Sequence, residues 1–167
     1  LEASAETVLA EVLAVRGDDG GARRLLEQAL ATFTAEGATR EVAETTLQLA
    51  ELTRDGAARL AALAEGSAAE GACKAEDIRA RWALARSRAQ LQAGQAPAAL
   101  ASAEEAARLA QDADQLALRA QVDGHLAQVY EELGSDFLAE RHREQGRHSW
   151  ERIAATVPLH LRDTFFA

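Results

Sequence analysis

The residues able to do chemistry are few. The chain has 167 residues, four of them histidine and one, Cys73, cysteine. A structural zinc site wants four converging ligands, usually Cys or His. His142 and His148 are six apart, so a helix sets them on different faces, and Cys73 and His125 are distant in sequence. Surface histidines are the expectation, with no metal and no cofactor. Gly17-Asp-Asp-Gly-Gly lacks both the Lys-Ser/Thr of a phosphate loop and the ligand alternation of a calcium loop. A lone Cys in an alanine-rich segment is read as a small apolar residue, not a nucleophile. No nucleophile, base and stabiliser stand together, so an enzyme is not expected. The arginines are different. Arg81 and Arg88 are seven apart, two turns along one helical face, and could clamp a carboxylate or phosphate on a peptide. Alternatively they solubilise that face and pair with Glu76, Asp77 or Glu104.

Composition narrows the class. The net charge of −9 argues against nucleic acid as the main partner. Residues 1–70 hold 13 acids and 6 bases, and residues 71–167 hold 14 and 12, so a basic face fits only the second half. No apolar run approaches the ~20 residues of a membrane span. One cysteine fits a reducing cytoplasm. Seventeen arginines against the single Lys74 suggest GC-rich coding and a bacterial source. Leu1 is not a start methionine, and a domain cut from a longer protein is the simplest account.

The positioning elements are helices. Apolar residues recur at helical spacing throughout. Gly17, Gly37, Asp55-Gly56, Gly94 and Gly134 stop helices, Asp18 or Asp19 caps the second, Thr39 the third and Ser135 the eighth. Pro97 and Pro158 suit first helical turns. Residues 65–74 read as a frayed helix end and a loop. The central hairpin, from Ala75 to Gln111, is repeated along the chain. Gly17, Gly56, Gly94 and Gly134 are spaced by 39, 38 and 40 residues. Five residues after each comes Ala22, Ala61, Ala99 and Ala139; twelve after, Ala29, Ala68, Ala106 and Gly146. Seven before come Ala10, Leu49, Ser87 and Ala127. Small residues at fixed phase let neighbouring helices cross closely. A fixed period of this length indicates stacked helix pairs.

This pattern resembles the tetratricopeptide repeat (TPR). Tyr130 matches the family's aromatic four residues before the glycine; Leu13 and Leu52 substitute for it, and Gln90 departs. The early tryptophan and closing proline of the family are unmatched, and the period exceeds its usual 34 residues. The chain is most similar to divergent TPR-like arrays at the C-terminal ends of large bacterial regulators. The resemblance implies an all-α, right-handed superhelical array of about four hairpins, at approximately 3–37, 39–72, 75–112 and 114–155. A capping helix over 158–166 would close it with Leu161, Phe165 and Phe166.

It also implies a concave groove lined by the first helix of each pair. The family offsets place Arg81, Leu84, Ala85, Arg88 and Leu91 there in the third repeat. In the fourth they place Gln121, Gly124, His125, Gln128 and Glu131. In the first two they give Ser4, Thr7, Val8, Glu11 and Ala14, then Ala43, Thr46, Leu47, Ala50 and Thr53. The first end of the groove is thus expected to be small and neutral. Arg81, Leu84, Arg88, Gln121, His125 and Gln128 are the peptide-binding candidates. Arg86 stands where the family prefers leucine, so it must snorkel or the register slips by one. Trp82 and Trp150 are read as core anchors. The expected function is protein–protein interaction within a signalling or transcription-regulatory protein. The rival readings are a small-ligand sensor controlling an attached kinase or ATPase, and self-association through an end of the array.

Overall fold

The computed structural model describes residues 2–112 and 115–157. The expected closing helix at 158–166 lies outside them. Among the described residues there are nine α-helices and no strand. They are α1 (Glu2–Val15), α2 (Asp19–Glu36), α3 (Thr39–Glu51), α4 (Gly56–Glu65) and α5 (Ser67–Ala72), then α6 (Glu76–Gln92), α7 (Ala96–Asp112), α8 (Leu116–Glu132) and α9 (Asp136–Thr156).

Three hairpins, α1–α2, α6–α7 and α8–α9, turn in the same way. At each joint a glycine with positive φ (Gly17 83°, Gly94 74°, Gly134 70°) ends the first helix. The amide after the glycine reaches back five residues: Asp18 to Leu13 O, Gln95 to Gln90 O, Ser135 to Tyr130 O, at 2.8–2.9 Å. This is the Schellman closure, which satisfies carbonyls left over at a helix end. Asp18 also caps α2, its Oδ1 accepting the Gly21 amide at 2.8 Å. The caps expected from Thr39 and Ser135 do not form: Ala38 is the cap residue of α3, and neither Ala38 nor Ser135 makes a side-chain cap bond.

The second hairpin is built differently, and it corrects the glycine alignment. Gly56 is not a joint. It is the first residue of α4, where an added Cβ would lie 2.8 Å from Gln92 Cβ and 2.9 Å from Ala89 O. α3 ends in right-handed conformation at Leu52. In place of a glycine, the Arg59 guanidinium folds back onto the carbonyls of Thr53 (2.7 Å) and Glu51 (3.5 Å). Ala61 and Ala68 are exposed. The inward small residues are Ala62 and Ala69, packed on the core, and Ala50, which is buried. Each lies one residue beyond the predicted position. With that one-residue correction all four pairs carry small residues at the crossings: Ala10, Ala50, Ser87 and Ala127 in the first helices, Ala22, Ala62, Ala99 and Ala139 in the second. At a further crossing, a Cβ on Gly146 would meet Ala120 O at 3.3 Å.

Segment 65–74 is not a loop but contains α5. Two contacts fix it. Arg86 grips Glu70 with both bonds at 2.7 Å and reaches Glu105 of α7 at 3.6 Å, so it is half-buried in an ionic link and the register there is not slipped. Gly66 leaves room for the Trp82 ring, which would be 2.6 Å from a Cβ. Trp82 is fully buried and its Nε1 donates to Ala43 O at 3.2 Å. It fills the wedge between α3, α4 and α6, because α4 packs chiefly on α6 and only lightly on α3. Trp150 is only half-buried.

Successive first helices lie side by side in a row α1, α3, α6, α8. Side-chain bonds cross it at separations of one repeat: Gln48 to Glu11 (2.8 Å), Arg81 to Glu44 (2.5 Å), Arg40 to Asp77 (2.9 and 2.5 Å), and Ser87 to His125 (2.8 Å). No described helix is long and apolar enough to cross a membrane.

Candidate functional site: a charged furrow along the first helices

Three cavities open along the row and share walls. The first, about 320 Å³, lies between α1 and α3 and is lined by Ser4, Thr7, Val8 and Glu11 with Glu41, Glu44 and Gln48. The second, about 220 Å³, shares Glu11 and Gln48 with it and adds Ala14, Glu51 and Arg81. The third, about 390 Å³, shares Glu51 and Arg81 and runs to Arg88 on α6, to Gln115 just before α8 and to Gln121 on α8. Together they form one furrow.

The sequence-derived lining residues divide by repeat. In α1 all five (Ser4, Thr7, Val8, Glu11, Ala14) line the furrow. In α6 Arg81, Leu84 and Arg88 do, with Leu84, only 2% exposed, forming the floor. In α3 the wall is Glu44, Gln48 and Glu51, whereas Ala43, Leu47 and Ala50 are buried in the core. The anchor on Gly56 rotated that prediction by one residue, about 100° of helix. The first end of the furrow is therefore acidic (Glu11, Glu41, Glu44, Glu51), not neutral.

The two arginines differ. Arg81 is neutralised by Glu44. Arg88 makes no hydrogen bond and no ion pair within 4.0 Å among the described residues. Burial lowers its pKa, and the field of Glu51 only partly opposes this. Water reaches Glu51, yet the furrow walls crowd it. Desolvation raises its pKa against the lowering pulls of Arg81, Arg88 and Arg59. Arg88 is half-buried and Glu51 is open to water, and neither side chain has a direct ionic partner among the described residues. Beside them the Oε1 of Gln48 is buried without a hydrogen-bond partner, while its Nε2 is committed to Glu11.

His125 and Gln128 stand apart from this arrangement. His125 is 4% exposed and does not line the furrow; the expectation of a surface histidine fails here. The Ser87 hydroxyl donates to Ala99 O at 2.6 Å, so it can only accept from His125 Nε2, 2.8 Å away. The imidazole therefore carries its proton on Nε2. Burial lowers its pKa and keeps it neutral. Nδ1 is then an acceptor; it lies 3.3 Å from Oε1 of Gln128, and turning that amide about would bring its nitrogen to face the ring. This network ties α6, α7 and α8 together. The sequence held one signal for it: Ser87 is the polar exception in a position otherwise filled by alanine.

His142 is likewise structural. Its ring stacks on Tyr130 (5.4 Å between centroids, 12° between planes), and Nδ1 donates to Asp123 at 2.9 Å, clasping α8 to α9. Cys73 is buried beside Trp82 and Ile78. Among the described residues no three His, Cys, Asp or Glu side chains are arranged to hold a metal.

No protein-family model matches the chain, and no curated protein sequence matches it. Its fold is similar to that of BtubC (BKLC) from P. vanneervenii, known from a crystal structure, at 17% identity and a TM-score of 0.72. The alignment covers 93% of this chain and 66% of that one. This chain therefore spans just under two thirds of that protein, and at such identity the likeness shows the fold alone.

Proposed function

We propose that the chain is a TPR-like protein-binding module, a right-handed superhelical array whose furrow receives an extended peptide segment of a partner protein. The reading extends to a role inside a bacterial signalling or regulatory protein of the cytoplasm. The observation that carries it is Arg88: a half-buried guanidinium in a cleft of about 390 Å³, with no ion pair within 4.0 Å among the described residues. A ligand carboxylate would form a charge-assisted bond there, worth roughly 1.5–3 kcal/mol when sheltered. The acidic wall from Glu41 to Glu51 favours basic residues on the same peptide. The favoured ligand is thus a segment of mixed charge, acidic where it meets α6 and basic where it meets α1 and α3.

The test is titration calorimetry with peptides of mixed, reversed and uniform charge order. Arg88→Glu should weaken binding of the mixed-charge peptide about 10-fold or more, with helical content unchanged. Arg81→Glu should cost less, because Glu44 already occupies Arg81. Equal affinity of wild type and Arg88→Glu for every peptide would remove the assignment.

A further inference from the structure

Glu51 holds a place in the furrow that no other acid there shares. Of Glu11, Glu41, Glu44 and Glu51, it alone lines the third cavity, together with Arg88. It is also the last residue of α3, where the negative end of the helix dipole disfavours a further negative charge.

The charges that face it come from three other helices. Glu11 of α1 shares the second cavity with it and repels it. Arg81 and Arg88 of α6 and Arg59 of α4 attract it, but none of them is its direct partner. Arg81 is bound to Glu44. Arg59 is spent on the backbone carbonyls of Thr53 and of Glu51 itself. Arg88 lies beyond 4.0 Å. From α8 and the residue before it the cavity receives only uncharged side chains, Gln115, Ala117, Leu118 and Gln121. His125 of α8, which feels the field of Arg88, is buried and outside the cavity.

Glu51 therefore stays a carboxylate through diffuse attraction, part of it from Arg88. The furrow walls already work against its charge and hold its pKa above the ordinary 4.5. A ligand acid seated on Arg88 changes two things at once. It cancels the pull of that guanidinium, and it brings a like charge into the same cavity. Both changes favour the neutral form of Glu51.

We propose that Glu51 makes this site proton-linked: an acidic group of the ligand settling on Arg88 drives a proton from solvent onto the Glu51 carboxylate. The proposal rests on the peptide-binding reading above and adds its regulation. The furrow holds acidic segments more tightly as pH falls, because ionised Glu51 repels the group that Arg88 attracts.

The probe is a mixed-charge peptide whose acidic residue is cysteic acid, a sulfonate that stays ionised throughout. Calorimetry from about pH 7.5 to about pH 5.5 should show affinity rising about 3-fold or more. Buffers of different ionisation enthalpy should report protons taken up on binding. Glu51→Gln should bind more tightly than wild type at the upper pH and lose most of the rise. The carboxyl carbon resonance of Glu51 should titrate at higher pH in the complex than in the free chain. Affinity that is level across the range, or a rise that Glu51→Gln keeps in full, overturns the proposal and leaves the furrow as the binding site. Absence of binding at every pH, for wild type and variant alike, overturns the furrow reading and this one together.

Discussion

Ser87 Oγ lies 2.8 Å from Nε2 of His125, and both side chains are buried between α6 and α8. The same hydroxyl donates to the carbonyl of Ala99 on α7. One oxygen thus joins three helices. Ser87→Ala removes about one methyl's worth of bulk, so packing changes little. It leaves a buried N–H without its acceptor and the Ala99 carbonyl with only its helical bond. Urea denaturation should show a loss of about 1–3 kcal/mol. A loss near zero would mean that the imidazole finds another acceptor.

The same imidazole makes stability depend on pH. Its folded pKa lies below the ordinary 6.5, chiefly through burial. The unfolded chain therefore binds the proton more readily, and stability falls as pH drops below 6.5 toward the depressed folded value. Glu51 acts with the opposite sign: its raised pKa means that stability is lost as pH rises above 4.5 through the folded value. Subtracting the curve of His125→Gln from that of the wild type isolates the histidine. The difference should shrink as pH falls from about 7.5 to about 5. A difference flat across that range would refute a neutral buried ring.

Gly66 and Trp82 should be energetically coupled. A methyl at residue 66 would stand 2.6 Å from the indole and 2.8 Å from Thr46 Cγ2. Backbone conformation is no obstacle, since φ is −79°. Gly66→Ala is therefore expected to cost about 1–3 kcal/mol by overpacking alone. In the Trp82→Phe background the penalty should fall by at least half, and a double-mutant cycle measures this. Additive effects would show that the ring moves aside freely.

Asp77 gathers the first turns of α3, α6 and α8. It accepts both Arg40 bonds and one from Gln115 at 3.4 Å. The Arg40 bond lowers its pKa below the usual 3.8. A depressed carboxylate stabilises fully above its unfolded pKa and loses that contribution as pH falls through the folded one. Arg40 is 48% exposed, so the link is largely screened. Asp77→Asn should cost no more than about 1 kcal/mol at neutral pH, and less as pH drops below about 3. Thermal melts at the two pH values check it.

The helices and three of the four turns were readable from sequence because glycine at positive φ is a backbone requirement with one common solution. The second turn was not. Arg59 satisfies the end of α3 with a side chain from beyond it, and no local signal announces that. Gly56 then offered a false anchor one residue away, which turned Ala43, Leu47 and Ala50 outward on paper and hid Glu44, Gln48 and Glu51. Counting from Gly94 and Gly134 puts Arg81, Leu84, Arg88 and Gln121 on the wall of the third cavity, but the same count puts Ala85 and His125 there, and both are buried between helices. His125 was misjudged because its burial depends on Ser87, 38 residues earlier. α5 was missed because its anchors, Arg86 and Trp82, follow it in the chain.

Among the described residues, most buried apolar side chains fall into four separate clusters. Two of these, around Phe33 and around Leu26, have only three fully buried members each and both serve α1 and α2. The molecule thus lacks a single keystone. Under gentle destabilisation the amide protons of α1 and α2 should trade with deuterium first, while those of α6 to α8 persist. The chain would peel from that margin inward, as a zip opens from its tab.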